Sequence, residues 1–271
     1  MTSLAMAGLT DTGRMRTENE DAISVHPEVG VAILADGMGG HQAGEVASRM
    51  AVDVITRHFA ETFARELERT NEGHIPAAAM EVNAVYDAIH LANNAIHEMA
   101  RARPECAGMG STVVVVVFYD DKLCVGHVGD SRLYRLRNSE LTQITLDHSV
   151  IQELVSRGLL TIEEAQQTVG KNLVTRALGV DVEVAPDVAE QPLEDADLYL
   201  LCSDGLNDML SDEDIRKLLI EHNADLETAA RQLIDQANER GGADNVSVVL
   251  VRAGKQFTRP KKAIQTLRSK Y

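Results

Sequence analysis

Five aspartates share one local setting. Asp36 and Asp204 close the apolar runs VAILAD and LYLLCSD, and Asp130 ends HVGD. Asp21 and Asp244 open such runs in NEDAISV and GGADNVSVVL. One aspartate in this setting is ordinarily a turn residue, because its side chain bonds the nearby backbone. Five at strand ends could converge on one edge of a sheet. Gathered carboxylates repel one another and must take up protons, meet cations or bind metal. Oxygen ligands without paired Cys or His select hard cations such as Mg2+ or Mn2+. Two such ions sharing a carboxylate can acidify a water and clamp a phosphoryl group for in-line attack. That chemistry asks for a cation on the phosphate oxygens. Arg16, in RTENED, is the candidate, since guanidinium matches phosphate in a bidentate geometry.

The elements that must position these residues follow from periodicity. Short apolar runs predict strands over 5–10, 22–26, a central strand from Val31 to Asp36, 110–119, 122–128, 133–136, 198–203 and 246–252. After the central strand comes DGMGGH, where Gly37, Gly39 and Gly40 leave room for close approach to the main chain. Apolar stripes at helical spacing predict long helices over 45–68 and 77–103, and shorter ones over 215–222 and 226–240. Strands joined by such short turns must pair antiparallel. The order of elements predicts an α+β fold: an antiparallel β-sandwich covered by helices on both sides. Residues 147–179, with helical pieces at 150–157 and 162–167, read as an inserted flap. The stretch 255–271 carries six basic residues and no acidic one, and reads as a solvated, partly disordered tail.

Composition excludes several classes. A formal net charge of −16 argues against a nucleic-acid-binding body and is compatible with cation binding. Three cysteines without CxxC spacing give neither a disulfide framework nor a thiolate zinc site. The longest apolar run, 113–118, is too short to span a bilayer, and no signal peptide is evident, so a cytoplasmic location is expected. The triplet Asp11-Thr12-Gly13 matches half of an aspartic-protease site, but no second DTG or DSG occurs, and it reads as a turn. A cysteine phosphatase would need Arg six residues after its nucleophile; Thr112, Asp130 and Asp208 stand there. Gln42 stands where GxGxxG would need its last glycine. The remaining histidines, His127 and His148 among them, show no ligand spacing and read as structural or surface residues.

The motifs RTENED, ADGMGGH, GDSR, CSDG and GADN, taken in order, resemble the metal-dependent protein phosphatase family, also called protein phosphatase type 2C, in its bacterial branch. The resemblance implies a four-layer αββα sandwich with a small flap, a catalytic domain over 1–254 and hydrolysis of phosphoserine and phosphothreonine by direct attack of a metal-bridging water or hydroxide. It implies two Mn2+ or Mg2+ ions. Asp36 would bridge them, Gly37 would lend its carbonyl to one, and Asp204 and Asp244 would complete the other. Glu20 and Asp21 would act mainly through water, Asp130 with Asp204 would form a third, weaker metal site, and Arg16 would bind phosphate. Met38 stands where eukaryotic members have a histidine acid, which leaves His41 or a bound water for that role. The expected partners are phosphorylated proteins, a serine/threonine kinase among them, and the expected state is a monomer. A pseudophosphatase would be signalled by loss of Asp36, Asp204 or Asp244, and all three are present.

Overall fold

The computed structural model describes residues 4–40, 43–74, 79–161, 164–165 and 173–271. Two antiparallel sheets form its centre. One has the order β1 (Ala5–Asp11), β11 (Val246–Arg252), β10 (Leu198–Cys202), β7 (Arg132–Arg137), β8 (Glu140–Gln143). The other runs β2 (Asp21–His26), β3 (Val31–Met38), β5 (Val113–Tyr119), β6 (Lys122–Val128), β9 (Asp187–Pro192), with β4 (Gly110–Ser111) pairing the end of β3. The described helices are α1 (Ala43–Asn71), α2 (Met80–Ala102), α3 (Val150–Ser156), α4 (Asp204–Asn207), α5 (Asp212–Glu221), α6 (Leu226–Glu239) and α7 (Lys261–Arg268).

Alternation along the strands builds three layers of core. On β3, Val31, Ile33 and Ala35 face α1 and α2, while Ala32 and Leu34 face the opposite sheet. On β5, Val113, Val115 and Val117 likewise face the helices, and Val114, Val116 and Phe118 fill the seam between the sheets. On β11 and β10, Val248, Leu250 and Leu200 meet α5 and α6, while Val249, Val251, Tyr199 and Leu201 point into the seam. Strands buried on both faces read as continuous apolar runs, which is why their positions stand out in the sequence. Each fully buried Val or Leu contributes roughly 1.5–3 kcal/mol over an exposed one. The expected αββα sandwich is observed.

Several elements depart from expectation. The central strand does not stop at Asp36 but runs to Met38, because Gly37 and Met38 pair with Ser111 and Gly110. The expected strand over 110–119 is broken at Thr112, which donates its N–H to Asp36 O at 2.8 Å. Two edge strands, β8 and β9, carry mixed polar residues and no clear alternation, so periodicity does not reveal them. The tail is not a solvated end. Its helix α7 buries Ile264 and Leu267 against α1. Before it, Arg259 lies 3.7 Å over the Phe63 ring, pairs with Glu81 at 3.5 Å and donates to Val29 O. The first helical piece of the flap is α3, capped by Ser149, while most of the second, 162–167, lies outside the described residues.

Candidate metal and phosphate site

The aspartates meet at one end of the inter-sheet seam. Asp21 and Asp36 are register partners on β2 and β3, on the face that carries Ile23, Leu34 and Val25 into the seam. From the other sheet come Asp204, just after β10, and Asp244, just before β11; Asp130 follows β6. A cleft of about 230 Å3 is lined by Arg16, Glu20, Asp36, Gly37, Asp130, Asp204 and Asp244, together with Met38, Thr112, Val174 and Asn245. A second cleft of about 340 Å3 shares Asp130 and Asp204 and continues towards α3 and α5.

Local chemistry fixes the backbones of the clustered residues. Asp36 N–H finds no strand partner at the break after β4 and donates instead to Thr112 Oγ1 at 3.1 Å. Thr112 Oγ1 also meets Ser131 Oγ at 2.7 Å, tying β3 to the turn after Asp130. Gly37 donates to Glu20 O at 3.0 Å, and a Cβ there would lie 2.0 Å from Gly44 O, so only glycine fits between the two segments. Ser203 Oγ donates to Asp21 Oδ2 at 2.8 Å across the seam. The Asp11-Thr12-Gly13 stretch is a turn: Gly13, at φ +80°, donates to Asp11 Oδ1 at 2.9 Å, and a Cβ on it would lie 2.1 Å from Asp244 O.

Burial and mutual repulsion set the electrostatics. Burial, then the charges of Asp21, Asp204, Asp130 and Asp244, hold Asp36 well above the usual carboxylate range. Burial and the nearby charge of Asp130 do the same to Asp204. Asp21 is pushed up to about 6, chiefly by burial and against the hydrogen bonds from Ser247 and Ser203. Asp130 also rises to about 6 through burial and the charge of Asp147. Glu20 is raised by burial. Arg16 Nη2 donates to Asp244 Oδ2 at 2.8 Å while half its side chain is exposed (50%), and this hydrogen bond raises its pKa.

Two of these carboxylate oxygens, Asp21 Oδ1 and Asp204 Oδ1, are buried without a hydrogen-bond partner. An unpaired buried anion is costly, and the donor set is all oxygen, so the residues fit hard divalent cations. Among the sequence-derived candidates, Arg16, Glu20, Asp21, Asp36, Gly37, Asp130, Asp204 and Asp244 are thus gathered at one end of the sandwich. His41 lies outside the described residues. Thr112 and Asn245 were missed as site residues. Thr112 hides at the head of a valine run, and Asn245 stands beside Asp244, the residue of metal-ligand type.

Folding also brings His127, His148 and Asp187 together, a group that sequence spacing does not show. The two imidazoles stack at 4.6 Å, and burial lowers both pKa values. Gly129 N–H donates to His148 Nδ1 at 3.2 Å, and His148 Nε2 faces Asp187 Oδ2 at 3.3 Å. The Arg176 guanidinium lies 3.2 Å from Asp187 Oδ1 and already supplies the local positive charge.

A two-sheet sandwich flanked by helices, with an aspartate cluster and an arginine at one end of its seam, defines the class of the metal-dependent phosphatases. The family model for protein phosphatase 2C matches residues 14–248, and the chain belongs to that family. It is 38% identical over 247 residues to the serine/threonine protein phosphatase PstP of Mycobacterium tuberculosis, covering 91% of this chain and 44% of that one. It is 37% identical to the protein phosphatase PhpP of Streptococcus pneumoniae, covering 90% of this chain and 95% of the relative. The chain therefore spans less than half of the mycobacterial relative and nearly all of the pneumococcal one. Among solved structures, the catalytic domain of PstP in complex with two manganese ions matches with a TM-score of 0.78 at 36% identity, covering 94% of this chain and 100% of that domain.

Proposed function

We propose that this protein is a metal-dependent serine/threonine protein phosphatase, acting on phosphorylated proteins in opposition to a serine/threonine kinase. The observation that carries the reading is the convergence of Asp36, Asp130, Asp204 and Asp244 on one cleft with Asp21 paired to Asp36 behind it, with orphaned oxygens on Asp21 and Asp204, beside a half-exposed Arg16. The name of the mycobacterial relative and the two manganese ions in its catalytic domain support it. Asp36, the Gly37 carbonyl, Asp204 and Asp244 would hold two Mn2+ or Mg2+ ions, Glu20 and Asp21 would act through water, and Asp130 with Asp204 would hold a third. When bound, such ions neutralise phosphoryl charge and acidify a water in the cleft.

The protein's own residues do the rest. Arg16 reaches the cleft from the loop before β2 and takes the phosphate oxygens in a bidentate grip. Asp244, its present partner, keeps the guanidinium extended towards the cleft. Thr112 and the β4 pairing hold the Asp36–Gly37 backbone before any ligand arrives, so little reorganisation accompanies binding. Val174, from the 147–179 stretch, lies on the cleft wall. Leaving-group protonation is assigned to His41 or to water. Residues 1–254 act as the catalytic domain, in a cytoplasmic monomer. The reading is tested by turnover of a phosphothreonine peptide with Mn2+ and with EDTA. Metal-dependent release of phosphate is the expected result; phosphopeptide binding without turnover at ample Mn2+ would contradict it and favour a silent binding protein.

A further inference from the structure

Asn245 is 95% buried, and its carboxamide joins segments that lie far apart in the chain. Oδ1 accepts from Glu20 N–H at 2.8 Å. Nδ2 donates to Thr12 O and to Glu18 O, each at 2.9 Å, so both of its hydrogens are used. The Asn245 backbone N–H donates to Asp244 Oδ1 at 2.8 Å, which orients that carboxylate from the same residue. Its carbonyl packs on the backbone after Asp204: a Cβ on Gly205 would lie 2.0 Å from Asn245 O. One residue therefore touches the loop carrying Arg16 and Glu20, the Asp244 carboxylate and the turn that carries Asp204.

From this geometry we propose that Asn245 is a positioning residue: a clamp that fixes the spacing between the Glu18–Glu20 loop and the Asp244 and Asp204 ligands, and thereby sets metal affinity. This inference rests on the two-metal reading above. The loop contains no helix or strand from Thr12 to Glu20 that could hold it by regular backbone pairing. Its register against β11 depends on directed bonds, and a carboxamide supplies one acceptor and two donors, where an ionised carboxylate has no donor and a hydroxyl has only one.

Asn245→Asp isolates the claim. It keeps the shape and the acceptor for Glu20 N–H, and turns two donors into a negative charge facing Thr12 O and Glu18 O. An added negative charge near the cluster would by itself tighten cation binding. The clamp predicts the opposite: Mn2+ binding, read by titration calorimetry, weakens by about tenfold or more, in a protein whose circular dichroism is unchanged. Affinity within twofold of the unsubstituted protein, or tightened, would overturn the proposal. If that variant does not fold, Asn245→Ala is read in the same way, and failure of both to fold assigns Asn245 a structural role only, which also overturns it. Absence of Mn2+ binding by the unsubstituted protein would instead fail the two-metal reading, and the clamp with it.

Discussion

Arg16 carries the only guanidinium lining the aspartate-rich cleft among the described residues, and it stands on a loop rather than on a strand. A charge-assisted bond of this kind is worth about 1.5–3 kcal/mol, or roughly ten- to hundredfold in affinity. Arg16→Ala is therefore expected to raise KM for a phosphothreonine peptide by about tenfold or more and to weaken inhibition by inorganic phosphate in parallel; steady-state kinetics checks both. At this scale the sequence was informative wherever an aspartate ended or opened an apolar run, because strand and ligand announce themselves together. It was silent on Thr112 and Asn245. Their roles come from which backbone groups lack partners at the β4–β5 break and in the loop before β2, and those gaps exist only once distant segments are paired.

Elements buried on both faces, β3, β5, β10 and β11, were legible because both of their faces are apolar. The edge strands β8 and β9 were not, since half-exposed polar strands are defined by their neighbours and not by their own pattern. Helix α7 does not stand out in the sequence for a related reason. It carries as many basic residues as apolar ones, three of each, yet Ile264 and Leu267, three apart, form a narrow stripe that fits α1. Arg268 adds a pair with Glu68 at 2.6 Å on the rim. Leu267 is 1% exposed, so Leu267→Ala is expected to cost about 2–4 kcal/mol in urea unfolding. Because α7 packs on the end of α1 away from the cleft, beside Glu68 and Asn71, kcat/KM at 25 °C should stay within twofold. A large loss of activity in a folded variant would mean that α7 communicates with the site.

Across the whole molecule, a chain of formal net charge −16 concentrates buried carboxylates at one end of the seam. That concentration links metal binding to pH. Asp21 and Asp130, each raised to about 6, are about half protonated at pH 6, and a cation must displace those protons. By pH 8 both are ionised in the absence of metal, so their protons are no longer there to release. Mn2+ affinity is thus expected to rise between pH 6 and pH 8, while protons released per ion fall; calorimetry in two buffers of different ionisation enthalpy reads both. Affinity that is flat over this range would show that these two carboxylates do not face the ions. No helix among the described residues is long and apolar enough to cross a membrane. On the proposed function, the carboxylates from the two sheets would act together on a phosphate monoester, with Asp36 shared between the two ions. The most direct test is phosphothreonine-peptide turnover at saturating Mn2+ by Asp36→Asn beside the unsubstituted protein. Removal of the shared ligand is expected to lower kcat by at least about 1,000-fold, some 4 kcal/mol of transition-state stabilisation, in a protein that still folds. Turnover within tenfold of the unsubstituted protein would contradict the account.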